Sequence, residues 1–177
     1  MSLREDARRV LTAWRAPSAE QERLRLLYLD HLDRHEDAMW RSCRPDHLTA
    51  SSLVVDADAD RVLLVRHAKV GRWLQTGGHC EPVDATLAAA ALREATEESG
   101  IDGLVIDPEP VRLSRHHVPM CGPVQPAHHL DVQFRVRAPS AAQPVRGPGE
   151  DPVRWFGARD LPEPVDDELR ALVDAAS

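Results

Sequence analysis

Cysteine is scarce in this chain. There are three, Cys43, Cys80 and Cys121, an odd number with no CxxC pair. That usage argues against a disulfide framework and for a reducing, cytoplasmic setting. Aromatic residues make up 4% and include a single tyrosine, Tyr28. Trp73, Phe134, Trp155 and Phe156 are therefore expected in the core rather than as platforms for stacked bases. No apolar run approaches the roughly 20 residues that span a bilayer. The opening "MSLREDARRV" lacks the apolar core of a secretory signal, so no membrane partner is expected. Basic residues do not dominate either: 22 Lys and Arg against 29 Asp and Glu give a net charge of −7. A general nucleic-acid surface is disfavoured on that count. Internal repeats and low-complexity tracts are also missing.

What is present is an ordinary globular composition, 42% hydrophobic and 29% charged over 177 residues. That suits one domain with an appendage. Residues 4–44 read as helical, with Val10, Leu11, Trp14, Leu24, Leu27, Leu29 and Leu32 near helical spacing and a break at Ala16-Pro17-Ser18. Ser18, with Gln21 three residues on, is the expected N-cap of the second piece. Residues 1–46 are thus expected to form an N-terminal helical extension, with the main domain over 47–177.

From His47 the period shortens. "HLTASSLVVD" and "RVLLVRH", on either side of the acidic turn 56–60, predict a hairpin. "RWLQTGGH" reads as a short extended piece. The alanine-rich stretch 85–99 predicts a helix that stops at Gly100. Strand patterns return in "GLVIDP", "PVRLSRHHV" and "HHLDVQFRVRA", the last with Val132, Phe134 and Val136 on one face. A Pro/Gly-rich loop at 139–152 leads to "VRWF" and a helical tail at 158–175. Strands on both sides of one central helix predict a mixed α/β sandwich.

The stretch "ALREATEESGI" is locally unfavourable as a helix end. Glu94, Glu97 and Glu98 project to one side at about 100° per residue. Glu94 and Glu98 repel one another at i,i+4, and the helix dipole disfavours anions in the last turns. Only Arg93 offers nearby compensation, because position 102 is another acid, Asp102. A hard divalent cation taking carboxylate oxygens would resolve the conflict.

The wider constellation resembles the signature of the Nudix hydrolase family, G-x5-E-x7-R-E-U-x-E-E-x-G-U with U apolar, over about residues 78–101. Arg93, Glu94, Ala95, Glu97, Glu98, Gly100 and Ile101 match its second half. The first half is one residue longer, since Gly78 lies 15 residues before Arg93, and either Asp84 or Glu81 stands for the first glutamate. The resemblance implies an α/β/α sandwich with a mixed sheet. It implies a pyrophosphohydrolase that uses Mg²⁺ or Mn²⁺ to direct water onto a phosphorus of a nucleoside diphosphate linked to another moiety.

On that resemblance, Gly78, Glu94, Glu97 and Glu98 are the metal ligands. Arg93, at i,i+4 to Glu97, acts as an internal partner that orients a carboxylate. Glu97, Glu98, Asp131, Glu150 and Asp151 are open alternatives for the general base, with Asp131 placed opposite the apolar face of its strand. Arg66, Lys69, Arg72 and His117 are expected to bind substrate phosphates, beside Arg115 and His116. A tyrosine shortly after the box would mark the dinucleoside polyphosphate branch, and none occurs there. The upstream signature of the coenzyme A branch is absent, while Pro119 lies near where ADP-ribose enzymes carry a proline. A small nucleotide-type substrate and a homodimer are the expected partners. The rival reading is a catalytically silent, nucleotide-sensing Nudix-like module, which such retained glutamates disfavour. A second rival is zinc, but the spacing of His79-Cys80, His116-His117, Cys121 and His128-His129 matches no common structural zinc pattern.

Overall fold

The structure, a computed structural model, describes residues 1–68, 71–118, 124–147 and 149–176. Two helices come first. Helix α1 (Leu3–Ala13) starts in a capping box between Ser2 and Glu5. Helix α2 (Ala19–Arg34) starts at Ser18, whose hydroxyl accepts the Gln21 amide at 3.2 Å. The expected helical stretch ends earlier than 44. His35 caps α2 in an extended conformation, and residues 36–43 are turns that deliver the chain to β1.

Among the described residues eight strands form one mixed sheet: β1 (His47–Val55), β2 (Arg61–His67), β3 (Arg72–Leu74), β4 (Thr76–His79), β5 (Val105–Ile106), β6 (Arg112–His117), β7 (His128–Arg137) and β8 (Val153–Gly157). The β1–β2 hairpin forms around the acidic turn. The Asp56 carboxylate accepts both the backbone amide and the guanidinium of Arg61, which closes the turn. β1 and β7 lie side by side and parallel at the centre, whereas the other pairings are antiparallel. Both central strands have a divided outer edge. β1 pairs with β4 over Thr49–Ser52 and with β2 over Val54–Val55. β7 pairs with β6 over 128–133 and with β5 over 136–137.

Because side chains alternate along a strand, β1 presents Leu48 and Ala50 to one side and Thr49, Ser51, Leu53 and Val55 to the other. On the first side lie helix α3 (Leu87–Ser99) and the N-terminal helices, sharing a core with Leu113, Leu130, Val132 and Phe134. On the second side helix α4 (Asp167–Ala176) covers Leu53, Val55, Val62 and Leu64. It leaves the polar end of that face, at Thr49 and Ser51, to a cavity. Phe134 is fully buried, and Trp73, Trp155 and Phe156 pack at the edges of the apolar clusters.

The N-terminal helices are bonded into the sheet as well as packed on it. The Gln21 amide pairs with the Leu113 backbone in both directions, at 3.0 and 2.7 Å. The Tyr28 hydroxyl donates to the Ser114 carbonyl at 2.8 Å. Asp6, fully buried, accepts the Leu87 amide at 2.9 Å and so places an anion at the start of α3, where the helix dipole favours one. Among the described residues no helix is long and apolar enough to cross a membrane.

Candidate functional site

Helix α3 is built to hold its last turns still. Thr86 caps its start by accepting the Ala89 amide at 3.0 Å. Alanines and leucines form its buried stripe. Gly100 ends it in the left-handed conformation at φ 65°, and a side chain there would collide with the Val145 carbonyl. The loop carrying Val145 crosses this end of the helix and brings Arg146, whose guanidinium donates to the Glu97 carbonyl at 2.9 Å. A cation thus does reach the unfavourable helix end, from a part of the chain remote in sequence.

The three box glutamates are not equivalent. Glu94 and Glu98, one turn apart, reach the glycine pair of β4. The Gly77 amide donates to Glu98 Oε2 at 3.0 Å. A Cβ at Gly78 would sit 2.7–2.9 Å from the Glu94 carboxylate atoms, so only glycine permits this approach. Burial raises the Glu94 pKa. It pushes Glu98 up to about 7, and the neighbouring Glu94 charge adds to the rise against the pull of the Gly77 amide and Arg146. Glu97 points outward, its side chain 59% exposed, and meets Arg93 at 3.2 Å.

Arg93 is fully engaged. Its Nε and Nη2 grip the buried Asp84 carboxylate at 3.0 Å each, Nη2 also reaches the His79 carbonyl, and Nη1 reaches Glu94 and Glu97. Five N–H donors make five bonds, so none is left for a ligand. The Asp84 carboxylate holds Arg93 firmly protonated. Of the two stand-ins for the first box acid, Asp84 is the one joined to this network, while Glu81 is exposed.

A cavity of about 330 Å³ opens beside the glycine pair, with Glu98, Gly77 and Gly78 on one wall. Asp131 lies in its floor, 2% exposed. Its carboxylate accepts Thr49 Oγ1 at 2.8 Å, Ser51 Oγ at 2.5 Å and the Gln133 amide at 3.1 Å. The sheet register explains this floor, since Thr49 is level with both His79 and Asp131, and Ser51 with both Gly77 and Gln133.

Of the cations expected at substrate phosphates, Arg66, Arg72 and His117 stand outside the cavity lining. Arg66 and Arg72 are exposed on β2 and β3, with Arg72 3.9 Å from Asp166. His117 is exposed and meets Gln125 at 3.3 Å. Lys69, Pro119 and Cys121 lie outside the described residues. Glu150 accepts the Gly147 amide and Asp151 the Ala68 amide, both outside the cavity lining. Histidines line the cavity instead: His67, His79, His116 and His129. Burial lowers the pKa of His79 to about 4 and of His129 to about 2, so both are neutral near pH 7. The alternating polar positions of "HLTAS" and "HLDVQ" carried this floor in the sequence, as polar residues at period two inside strands too apolar to face water.

The residues fit a hard divalent cation at the Glu94–Glu98 pair. The donors are oxygens, two carboxylates with raised pKa values face each other's charge, and Gly78 leaves the space a side chain would fill.

A family model described as "NUDIX domain" matches residues 45–176, a segment that begins after α1 and α2. Solved structures share the fold. A NUDIX-family hydrolase from Clostridium perfringens is 22% identical with a TM-score of 0.59, covering 73% of this chain and 95% of its own. The E. coli dihydroneopterin triphosphate pyrophosphohydrolase is 20% identical with a TM-score of 0.57, covering 74% and 93%. A C. elegans Ap4A hydrolase is 14% identical with a TM-score of 0.55, covering 72% and 93%. No curated protein matches the chain by sequence.

Proposed function

The chain belongs to the NUDIX family, hydrolases that act on diphosphate bonds, and on that premise we propose that it cleaves a nucleoside diphosphate linked to another moiety, with Mg²⁺ or Mn²⁺ held by Glu94 and Glu98. The observation that carries the reading is the convergence of these two half-buried carboxylates on Gly77 and Gly78 at the mouth of the cavity. Gly78 contributes a backbone free of any side chain, where a carbonyl or a ligand phosphate can approach. When bound, the cation would neutralise phosphate oxygens and lower the pKa of a coordinated water.

The chain's own groups divide the remaining work. Glu98 has one oxygen on the Gly77 amide, which leaves Oε1 for the cation or for a proton. We assign it as the group that takes the proton when water attacks phosphorus. The bridging P–O bond breaks, and each product leaves with a phosphate. Arg93, gripped by Asp84, tethers Glu94 Oε1 through one hydrogen bond at 3.0 Å. Asp131, with three donors on its carboxylate, orients the hydroxyls of Thr49 and Ser51 along the floor and is an anchor rather than a base.

The test is phosphate-product release from a panel of nucleoside diphosphate derivatives, sugars and dinucleotides with Mg²⁺ or Mn²⁺. Turnover that needs the cation and disappears in Glu98→Gln supports the reading. Tight nucleotide binding without turnover under either cation supports the silent module instead.

A further inference from the structure

Three imidazoles to which the diphosphate chemistry gives no role meet on the cavity side of the sheet. His47 starts β1, His79 ends β4 and His129 lies at the start of β7. The parallel pairing sets His47 level with His129, and the β1–β4 pairing sets His79 level with Thr49, two residues on and on the same face. Their ring centroids form a nearly equilateral triangle: 5.1 Å from His47 to His79, 5.0 Å from His47 to His129 and 4.9 Å from His79 to His129. One ligand nitrogen from each lies within 4.8 Å of the other two.

Three imidazoles on one tetrahedral ion, with metal–nitrogen distances of about 2.0–2.1 Å, have ring centroids about 5 Å apart. The observed triangle has that size. Mutual stacking accounts for one side of the triangle only: His47 and His79 lie 26° from parallel, whereas the His129 ring is inclined at 60° to His47 and 84° to His79. His129 Nε2 is also buried with no hydrogen-bond partner among the described residues, a state that folded proteins rarely leave in place.

We propose that His47, His79 and His129 bind a zinc-class transition-metal ion, leaving a fourth coordination position to water or an anionic oxygen in the cavity. Nitrogen donors select such an ion over Mg²⁺, whereas the all-oxygen Glu94–Glu98 pair selects the harder cation. Two sites of opposite preference then lie along one short strand, with Gly78 and His79 adjacent. The ion needs only the rings, so a chain without hydrolase activity would bind it equally.

Cobalt titration of the full chain, without a polyhistidine tag, tests this. One equivalent of Co²⁺ is expected to give the intense visible absorption of a four-coordinate ion, and one equivalent of Zn²⁺ to abolish it. The band should persist in the Glu94→Gln/Glu98→Gln double variant and in Cys43→Ser, which disables the separate His35, Asp37 and Cys43 group. It should vanish in His129→Asn. Anomalous diffraction from zinc-soaked wild-type crystals should place one peak among the three rings, a result that needs no variant to fold. No stoichiometric band, a band that survives His129→Asn, loss in Cys43→Ser or the glutamate variant, or no peak between the rings overturns the proposal.

Discussion

The Gly77 amide donates a 3.0 Å hydrogen bond to Glu98 Oε2, joining the glycine pair of β4 to the last turn of α3. This bond fixes one carboxylate oxygen at the cavity wall. Glu98→Gln keeps an oxygen acceptor for the amide but loses the charge. Cation-dependent turnover should fall about 10²–10⁴-fold, with the melting temperature unchanged or raised. Normal turnover by the variant would sink the assignment.

A cation must compete with the proton on Glu98. Its pKa of about 7 lies above the ordinary 4.5, so the folded state holds this proton more tightly than the unfolded chain. That stabilisation is fully present below about pH 4.5 and is lost as the pH rises through about 7. Calorimetry should therefore show Mn²⁺ affinity falling about tenfold per pH unit below pH 7. The slope should flatten in Glu98→Gln.

Gly78→Ala would push a methyl group to within 2.7–2.9 Å of the Glu94 carboxylate atoms. The carboxylate can swing away, so thermal stability should change little. Its displacement should weaken Mn²⁺ binding about 10–100-fold, the range seen when a metal ligand loses its support. Mn²⁺ titration monitored by electron paramagnetic resonance reads this directly.

Arg93→Ala leaves Asp84, whose side chain is 3% exposed, without its counter-charge. Breaking a buried pair from one side costs about 3–5 kcal/mol, and urea denaturation should show a loss of that order. Arg93→Lys should recover only part of it, because an ammonium cannot reproduce the two-point grip on Asp84. Full recovery by lysine would show that the fork geometry is irrelevant.

Tyr28→Phe removes one buried hydroxyl and its hydrogen bond to the Ser114 carbonyl. About 1 kcal/mol of stability should be lost, with turnover retained, as read by a thermal melt alongside the hydrolysis assay. A null effect on stability would mean that the Tyr28 hydrogen bond adds nothing to the docking of α2, which then rests on Gln21 and apolar contact.

Local patterns foretold the elements that contain their own instructions. The Ser18–Gln21 pair, the acidic hairpin turn and the stretch from Thr86 to Gly100 each form from neighbours in sequence. The helical reading of 35–44 failed for a tertiary reason, since this segment must turn to feed the centre of the sheet. The outward position of Glu97 was equally hidden, because helical spacing sets the angle of a side chain but not which neighbours crowd around it.

Neighbouring residues suffice to specify α3, its caps and the one-turn spacing of Glu94 and Glu98, because hydrogen bonds and side-chain rows within a helix are local. What those carboxylates face and which charges reach them follow from long-range packing, which brings up Gly77 and Gly78 from β4 and Arg146 from a late loop. That packing likewise decided that His47, His79 and His129 share one patch. Strand register controls that meeting, and register is set by pairing between segments far apart in the chain, where no spacing rule within the sequence reaches.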